Sequence, residues 1–523
     1  MSDDSRPELE PRPEEGLDPE DWEALRALGH RMVDDVISFH RGLSERPAWQ
    51  PLPESVREAL RRPPPETGEG AERAYEEFRE HVLPYPFGNV HPRGWGWVNG
   101  TGTTLAAFAE MLAAAMNSNV WGGEHAAAYV EAQVLDWAKR AVGYPGDASG
   151  VLTTGGSVAN LIGLAAAREA RGGGDVSARG LRALPEPLVV YASEQAHNSV
   201  DKAAGLLGIG WDGLRKIPTD LDFRMDIAAL EAAIAEDRAA GRRPVCVVGT
   251  AGTVNTGAID DLDRLADVCA REGLWLHVDG AIGALAALSP ALRRQLRGIE
   301  RADSIAFDLH KWLHIPIEAG CVLVRDGAWH RRPFSPPASY LAWLDRGLSS
   351  GPYGYLDLGP QLTRSFRALK VWMSLKAHGT GTFARLIEQN VRQARHLETR
   401  IREHPRLELL APVPLNIVCF RYRPDGASDR ATRAASGAAA PAADAAPEID
   451  ALNRELLMRL QESGVAVPSS TIIDGTFALR VALTNHRTRT ADLDALVDAV
   501  VAIGDALVRE PAWSAGLAPA DGA

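Results

Sequence analysis

Five short apolar segments, residues 188–191, 245–248, 274–278, 304–307 and 321–324, are separated by stretches with helical periodicity. Strand and helix in alternation predict a mainly parallel sheet covered by helices, an α/β fold, because each parallel return needs a crossover long enough to hold a helix. Such a sheet takes its ligands just outside the carboxyl ends of its strands, so residues at those ends are the first candidates for function.

The flanking regions read differently. Residues 1–17 are acidic and Pro-rich and predict a disordered tail. Asp18 and Pro19 read as the N-cap and first position of a helix carrying Trp22, Leu25, Leu28, Met32, Val33, Val36 and Ile37 at helical spacing. A Pro-rich break over 47–65 separates it from a second helical stretch over 71–82. Residues 18–99 thus form a helical arm in need of a partner surface. The large domain runs over 100–378, where a helix closes at Gly379, and strands at 417–420 and 478–481 predict a small C-terminal α+β domain over 379–523. Within it, residues 424–448 are mostly Ala, Gly, Ser, Asp and Pro, too poor in large apolar groups to offset ordering entropy, and predict a disordered insertion.

Composition narrows the partners. Of 523 residues, 45% are hydrophobic and 24% charged, as in an ordinary globular chain. The net charge of −13 disfavours nucleic acid and anionic membranes, leaving a small molecule as the expected ligand. Four dispersed cysteines without a C-x-x-C pair predict neither disulfides nor zinc, and no His or Cys pair has convincing metal-ligand spacing. With no basic leader and no run of about 18 apolar residues, a cytoplasmic protein is expected.

Lysine occurs only six times, so chemistry that needs a free amine has few candidates. Lys311 stands out in ADSIAFDLHKW, where an apolar strand delivers His310 and Lys311 at its end. An amine there can condense with an aldehyde if burial or a nearby cation lowers its basicity, which arginine cannot do. The strand in LWLHVDGAIG ends in Asp279, which alone would suit a helix cap but can also keep a pyridinium nitrogen protonated. In GVLTTGGSVAN, Gly155, Gly156 and Ser157 open a helix whose N-terminus suits a phosphate. His197 lies in the turn of YASEQAHNSVDKA, where an imidazole can stack on a flat ring. Gly208, Gly210 and Gly213 formally spell G-x-G-x-x-G, but the extended LRKIP follows where a dinucleotide site needs a helix, so a turn is expected.

The set TTGGSVAN, ASEQAHNSVDKA, GTAGTVNTGAID, WLHVDGA, DLHKW and RSFRALKVWMSLKAHG resembles the group II pyridoxal-phosphate-dependent amino-acid decarboxylases, nearest the aromatic-L-amino-acid decarboxylases, from about His91 to Gly379. The resemblance implies an aspartate-aminotransferase-like fold, fold type I of the pyridoxal-phosphate enzymes. It also implies a homodimer with the active site near the interface and pyridoxal 5'-phosphate as cofactor. Lys311 would bind the cofactor as a Schiff base, Asp279 would hold the ring nitrogen, His197 would stack on the ring and Ala281 would pack on its other face. Gly156, Ser157 and His310 would contact phosphate, and Thr253 would lie near the ring hydroxyl. Tyr340 would return a proton to the substrate carbon, and Arg364 would lie by the substrate.

The implied activity is decarboxylation of an L-amino acid, aromatic ones included. Transamination, aldehyde-forming oxidation and aldehyde cleavage use the same fold and cofactor and stay open, while a non-catalytic scaffold fits poorly with an intact Lys311 and Asp279. Three departures bear on substrate and cofactor, one being NSNVWGGEH, which lacks the apolar partner-chain residues of the aromatic enzymes. Asn99-Gly100 stands where the aromatic enzymes carry a bulkier apolar stretch, and Asp308 stands where they have asparagine near the phosphate. A carboxylate at Asp308 would repel phosphate unless hydrogen-bonded or turned away.

Overall fold

The apolar segments form strands where their periodicity places them. The structure, a computed structural model, describes residues 14, 16–336, 343–424 and 447–514. The expected tail and insertion fall largely outside these residues, as does Tyr340. Helix Pro447–Glu462 nevertheless begins inside the stretch expected to lack structure. Glu448 and Asp450 suit its first turn, and Leu452, Leu456 and Leu460 supply a buried stripe.

Contacts divide the chain into two units, residues 1–42 with 52–85, and residues 43–51 with 86–523. The first contains α1 (Trp22–Arg41), α2 (Glu54–Ala59) and α3 (Ala71–Glu77), which continues as a π-helical turn over Phe78–Val82. Asp21, not Asp18, caps α1, its side chain accepting the Glu23 and Ala24 N–H groups at 2.9 Å. Of the two aspartates, it is Asp21 that stands immediately before the helical run, in the extended conformation a cap requires. Asp35 ties α1 to the second stretch, accepting from Tyr75 Oη at 2.8 Å and pairing with Arg79 at 3.0 Å.

The second unit carries a seven-stranded sheet in the order β1-β7-β6-β5-β4-β2-β3. Its strands are β1 (Ser149–Thr153), β2 (Leu188–Ser193), β3 (Leu214–Ile217), β4 (Arg243–Thr250), β5 (Trp275–Asp279), β6 (Ser304–Asp308) and β7 (Gly320–Val324). Neighbours are parallel except β7, which runs antiparallel to both β1 and β6. LRKIP supplies edge strand β3, and Gly208 and Gly210 take positive φ in the turn before it.

Helices cover both faces. On one, a Cβ at Gly249 would meet Leu262 and Leu265 of helix Leu262–Glu272 at 3.0 and 2.9 Å, with Leu276 beside them. On the other, a Cβ at Gly163 of α6 (Gly156–Arg171) would lie 2.5 Å from the His277 ring, so the helix backbone comes close enough to exclude any side chain. Leu276 and His277 are neighbours on β5 and so face opposite ways, which places α6 and Leu262–Glu272 on opposite faces.

A second, antiparallel sheet has the order β10-β11-β9-β8, from β8 (Leu407–Leu409), β9 (Ile417–Tyr422), β10 (Ser469–Ile473) and β11 (Thr476–Ala482). Helices Thr380–Glu403, Pro447–Glu462 and Thr490–Arg509 pack on it around Leu397, Phe420, Leu456 and Val497. Trp95 belongs to this core and donates from Nε1 to Thr488 Oγ1 at 3.0 Å. The helical arm therefore ends at 85 and not at 99, because Trp95 finds its burial in the small domain. No helix among the described residues is long and apolar enough to cross a membrane.

Replacing Trp95 with Ala removes a buried indole and a hydrogen bond and is expected to cost about 3–5 kcal/mol. A urea unfolding midpoint equal to that of the unsubstituted protein would contradict this assignment of Trp95 to the core.

Candidate active site

The chemistry-bearing residues lie where the parallel strands end. β1 leads through Gly155 (φ 147°) into α6, whose first N–H groups have no partner within the helix. A Cβ on Gly156 would stand 3.4 Å from the Ala281 Cβ and 3.1 Å from Asp308 Oδ2. One on Gly155 would stand 3.8 Å from His310 Cε1. The glycines thus leave bare backbone facing Ala281, Asp308 and His310, with the Ser157 side chain exposed beside them. A helix N-terminus with uncovered N–H groups, a hydroxyl and an imidazole is a fitting phosphate cradle.

Asp279, buried at the end of β5, has a partner for each oxygen. Oδ2 accepts from Asn160 Nδ2 at 2.9 Å, and Oδ1 accepts the Ala281 N–H at 3.1 Å. His197 follows β2. Its Nδ1 accepts the Ser199 N–H at 3.1 Å and lies 2.8 Å from Ser199 Oγ, which leaves Nε2 as the protonated nitrogen. Burial lowers the proton affinity of His197, opposed by the charges of Asp279 and Asp308 and reinforced by Lys311. All three charged groups therefore lie within electrostatic reach of this ring.

Lys311 follows β6 in the short helical turn Leu309–Trp312, and its Nζ lies 2.9 Å from Asp308 Oδ2. The other carboxylate oxygen, Oδ1, is buried without a hydrogen-bond partner. Burial lowers the proton affinity of His310 also, with Asp308 opposing, and its Nδ1 lies 3.1 Å from the Ala319 carbonyl. Asp308, set aside on sequence, is thus the closest charged neighbour recorded for Lys311 and borders the cradle.

Two expected side chains, those of Thr253 and Arg364, are engaged by other groups. Tyr340 lies outside the described residues. The Thr253 hydroxyl closes a turn, accepting the Ala258 N–H at 3.0 Å and lying 3.0 Å from Thr256 Oγ1, so its side chain is already committed. Arg364 is corrected from a substrate contact to a core residue. Its guanidinium is 2% exposed, pairs with buried Glu131, and donates to the Val120 and Leu152 carbonyls at 2.6 and 2.8 Å. Its sequence could not show that this arginine points into the protein. Conversely, Asn160 lay in a quoted motif without being singled out. Its signal was an amide set among the buried Gly, Ala, Ile and Leu residues of that helix.

Comparison with known proteins fits this geometry. The pyridoxal-dependent decarboxylase conserved domain matches residues 53–423. The chain belongs to the pyridoxal-dependent decarboxylase family. It is 32% identical to an aromatic-L-amino-acid decarboxylase of Bacillus atrophaeus over 90% of this chain and 93% of that one. A crystal structure of Oryza sativa TDC with PLP and tryptamine superposes with a TM-score of 0.83 at 28% identity, covering 94% of this chain and all of that one. A crystal structure of Rhodiola rosea 4-hydroxyphenylacetaldehyde synthase gives a TM-score of 0.80 at 25% identity, covering 94% of this chain and 100% of that one. The fold is accordingly fold type I, the cofactor is pyridoxal 5'-phosphate and the protein is a carboxy-lyase.

The residues present fit that cofactor. Gly156, Ser157 and His310 would hold its phosphate, Asp279 its ring nitrogen, Ala281 and His197 its two faces, and Lys311 its aldehyde carbon. Asp308 is a carboxylate of the wrong sign bordering the cradle. Asp308→Asn keeps the shape and removes the charge, so the cofactor should bind more tightly at pH 8 by about fivefold, the ~1 kcal/mol that two unit charges ~4 Å apart exchange in water-like surroundings. Absorbance titration of cofactor-free protein measures this, and weaker binding by the variant would show instead that the carboxylate helps hold the cofactor.

Proposed function

We propose that this pyridoxal-phosphate enzyme decarboxylates an aromatic L-amino acid to its amine, as a cytoplasmic homodimer. The observation that carries the reading is the convergence of Lys311, Asp279 and His197 around the Gly155–Gly156 turn, each delivered by a different strand of one parallel sheet. When bound, the cofactor supplies a ring that accepts the electron pair left behind as CO₂ departs.

The protein's own residues do the rest. Asp279, held by Asn160 and the Ala281 N–H, stays an acceptor and keeps a proton on the ring nitrogen. His197 presents its Nε2–H side, since Nδ1 is taken by Ser199, and so covers one face with a neutral ring. Lys311 supplies the amine that exchanges with the substrate amine, and Asp308, 2.9 Å from its Nζ, is the group placed to position it. Tyr340 or His197 returns a proton to the substrate carbon.

The aromatic substrate class rests on the likeness to the Bacillus enzyme. The homodimer is supported by apolar side chains left exposed on α1 (Trp22, Leu25, Met32) and on α4 (Thr104–Met116; Met111, Leu112, Met116). Four buried cysteines without disulfides suit a reducing compartment. A second reading, aldehyde formation, is favoured by the likeness to the Rhodiola synthase.

A panel of L-amino acids incubated with cofactor-loaded protein separates these readings by CO₂ release and product mass. Equal amounts of CO₂ and amine from an aromatic member are expected. CO₂ with an aldehyde would establish the second reading, and no CO₂ from any member would overturn both.

A further inference from the structure

Beyond Asp279, the hydrogen bonds continue away from the site in one unbroken buried chain. Trp275 Nε1 lies 2.8 Å from Ser304 Oγ, and Ser304 Oγ lies 2.8 Å from His277 Nδ1. His277 Nε2 lies 2.9 Å from Asn160 Oδ1, and Asn160 Nδ2 reaches both Asp279 Oδ2 and Ser199 Oγ at 2.9 Å. Ser199 Oγ then meets His197 Nδ1 at 2.8 Å. Every member but His197 is buried.

The direction of each bond is fixed from both ends. An indole N–H can only donate, so Ser304 Oγ accepts it and turns its own proton to His277 Nδ1. His277 therefore carries its one proton on Nε2 and gives it to Asn160 Oδ1. That orients the amide with its NH₂ toward Asp279 and Ser199. At the far end the Ser199 N–H already makes His197 Nδ1 an acceptor, so the Ser199 hydroxyl must donate to it and accept from Asn160. The two ends agree without either having been used to set the other. Burial holds the His277 imidazole down to about 4, against the opposing charge of Asp279, so a neutral ring with a single N–H is the form present at neutral pH.

The packing is built for this chain. Trp275, His277 and Asp279 alternate along β5 and share one face, Ser304 is the residue of β6 registered with His277, and Gly163 opens room on α6 for the imidazole one turn after Asn160. If the chain ran the other way, the Asn160 oxygen would face Asp279, and two oxygens in contact would need a proton between them. A carboxyl carrying that proton could no longer hold one on the ring nitrogen.

We propose that Trp275, Ser304 and His277 are positioning residues that lock the Asn160 amide, and through it keep Asp279 a hydrogen-bond acceptor and His197 the Nε2–H tautomer. The proposal needs the cofactor but not the aromatic substrate, because its main readout is taken without substrate.

Three variants test it. His277→Phe keeps a flat ring and removes both nitrogens, His277→Gln keeps an N–H where Nε2 stands, and Ser304→Ala cuts the chain one link further out with little change in volume. In His277→Phe the cofactor should still become attached to Lys311, but the pH midpoint of its visible absorption should shift upward, because a ring nitrogen that is less firmly protonated withdraws less charge from the attachment nitrogen. With a substrate in hand, kcat should fall about 10–100-fold, the range for outer partners of site ligands, with KM little changed. His277→Gln should recover most of both effects, and Ser304→Ala should show the midpoint shift in smaller degree. The proposal is overturned if the absorption midpoint is the same in all four proteins, or if Gln is as impaired as Phe and both track a common loss of thermal stability. Should His277→Phe fail to fold, Ser304→Ala decides alone, and an unmoved midpoint there counts against the chain.

Discussion

A buried carboxylate at the end of a central strand is the constraint around which this site is arranged. Charge in the interior is tolerated only when its lone pairs are met, and Asp279 meets that condition through one amide on α6 and one backbone N–H just past β5. Supplying the amide requires α6 to cross the sheet close to β5, which Gly163 permits by carrying no side chain against His277. That crossing also brings the N-terminus of α6 to the same edge, so the candidate phosphate cradle and the carboxylate expected to meet the ring nitrogen are two consequences of one helix placement. Registry with β6, in which Asp279 stands opposite Ala306, then sets Lys311 a short turn away.

Charge at that edge is sparing and paired. Lys311 has Asp308 at 2.9 Å, while other amines of the chain are engaged elsewhere: Lys139 with Asp136 at 2.9 Å, Lys216 with Asp201 at 2.8 Å, and buried Lys370 with Glu110 at 2.8 Å. The Asp308 carboxylate fixes where the Lys311 Nζ sits, at the edge where the glycine turn opens into α6. Asp308 therefore borders two groups at once, the Lys311 amine and the bare backbone of the glycine turn. Asparagine in its place would remove the charge beside both.

The sheet was legible because strands buried on both faces read as short apolar runs, and residues 188–191, 245–248, 274–278, 304–307 and 321–324 all became strands within a few residues of those bounds. Lys311 and Asp279 were legible because each ends such a run. What the sequence could not carry was direction. Arg364 and Thr253 sit in motifs that fit the family, yet their side chains are spent on the core and on a turn, and only three-dimensional neighbours reveal that. Trp95 read as part of a helical arm because nothing local shows that its burial lies against residues almost 400 positions away. Asn160 and His277 stand inside the family-like motifs, and WLHVD places Trp275, His277 and Asp279 on one face by simple alternation. That pattern, three polar-tipped side chains on the inner face of an otherwise apolar strand, is a readable signal for a buried hydrogen-bond chain.

Lys311, just past the end of β6, would be the amine that this fold delivers to the cofactor. Borohydride reduction of the cofactor-loaded protein, followed by peptide mapping by mass spectrometry, tests it most directly. A single reduced phosphopyridoxyl group is expected on the peptide containing Lys311. The same group on Lys139, Lys202, Lys216, Lys370 or Lys376, with Lys311 unmodified, would contradict it.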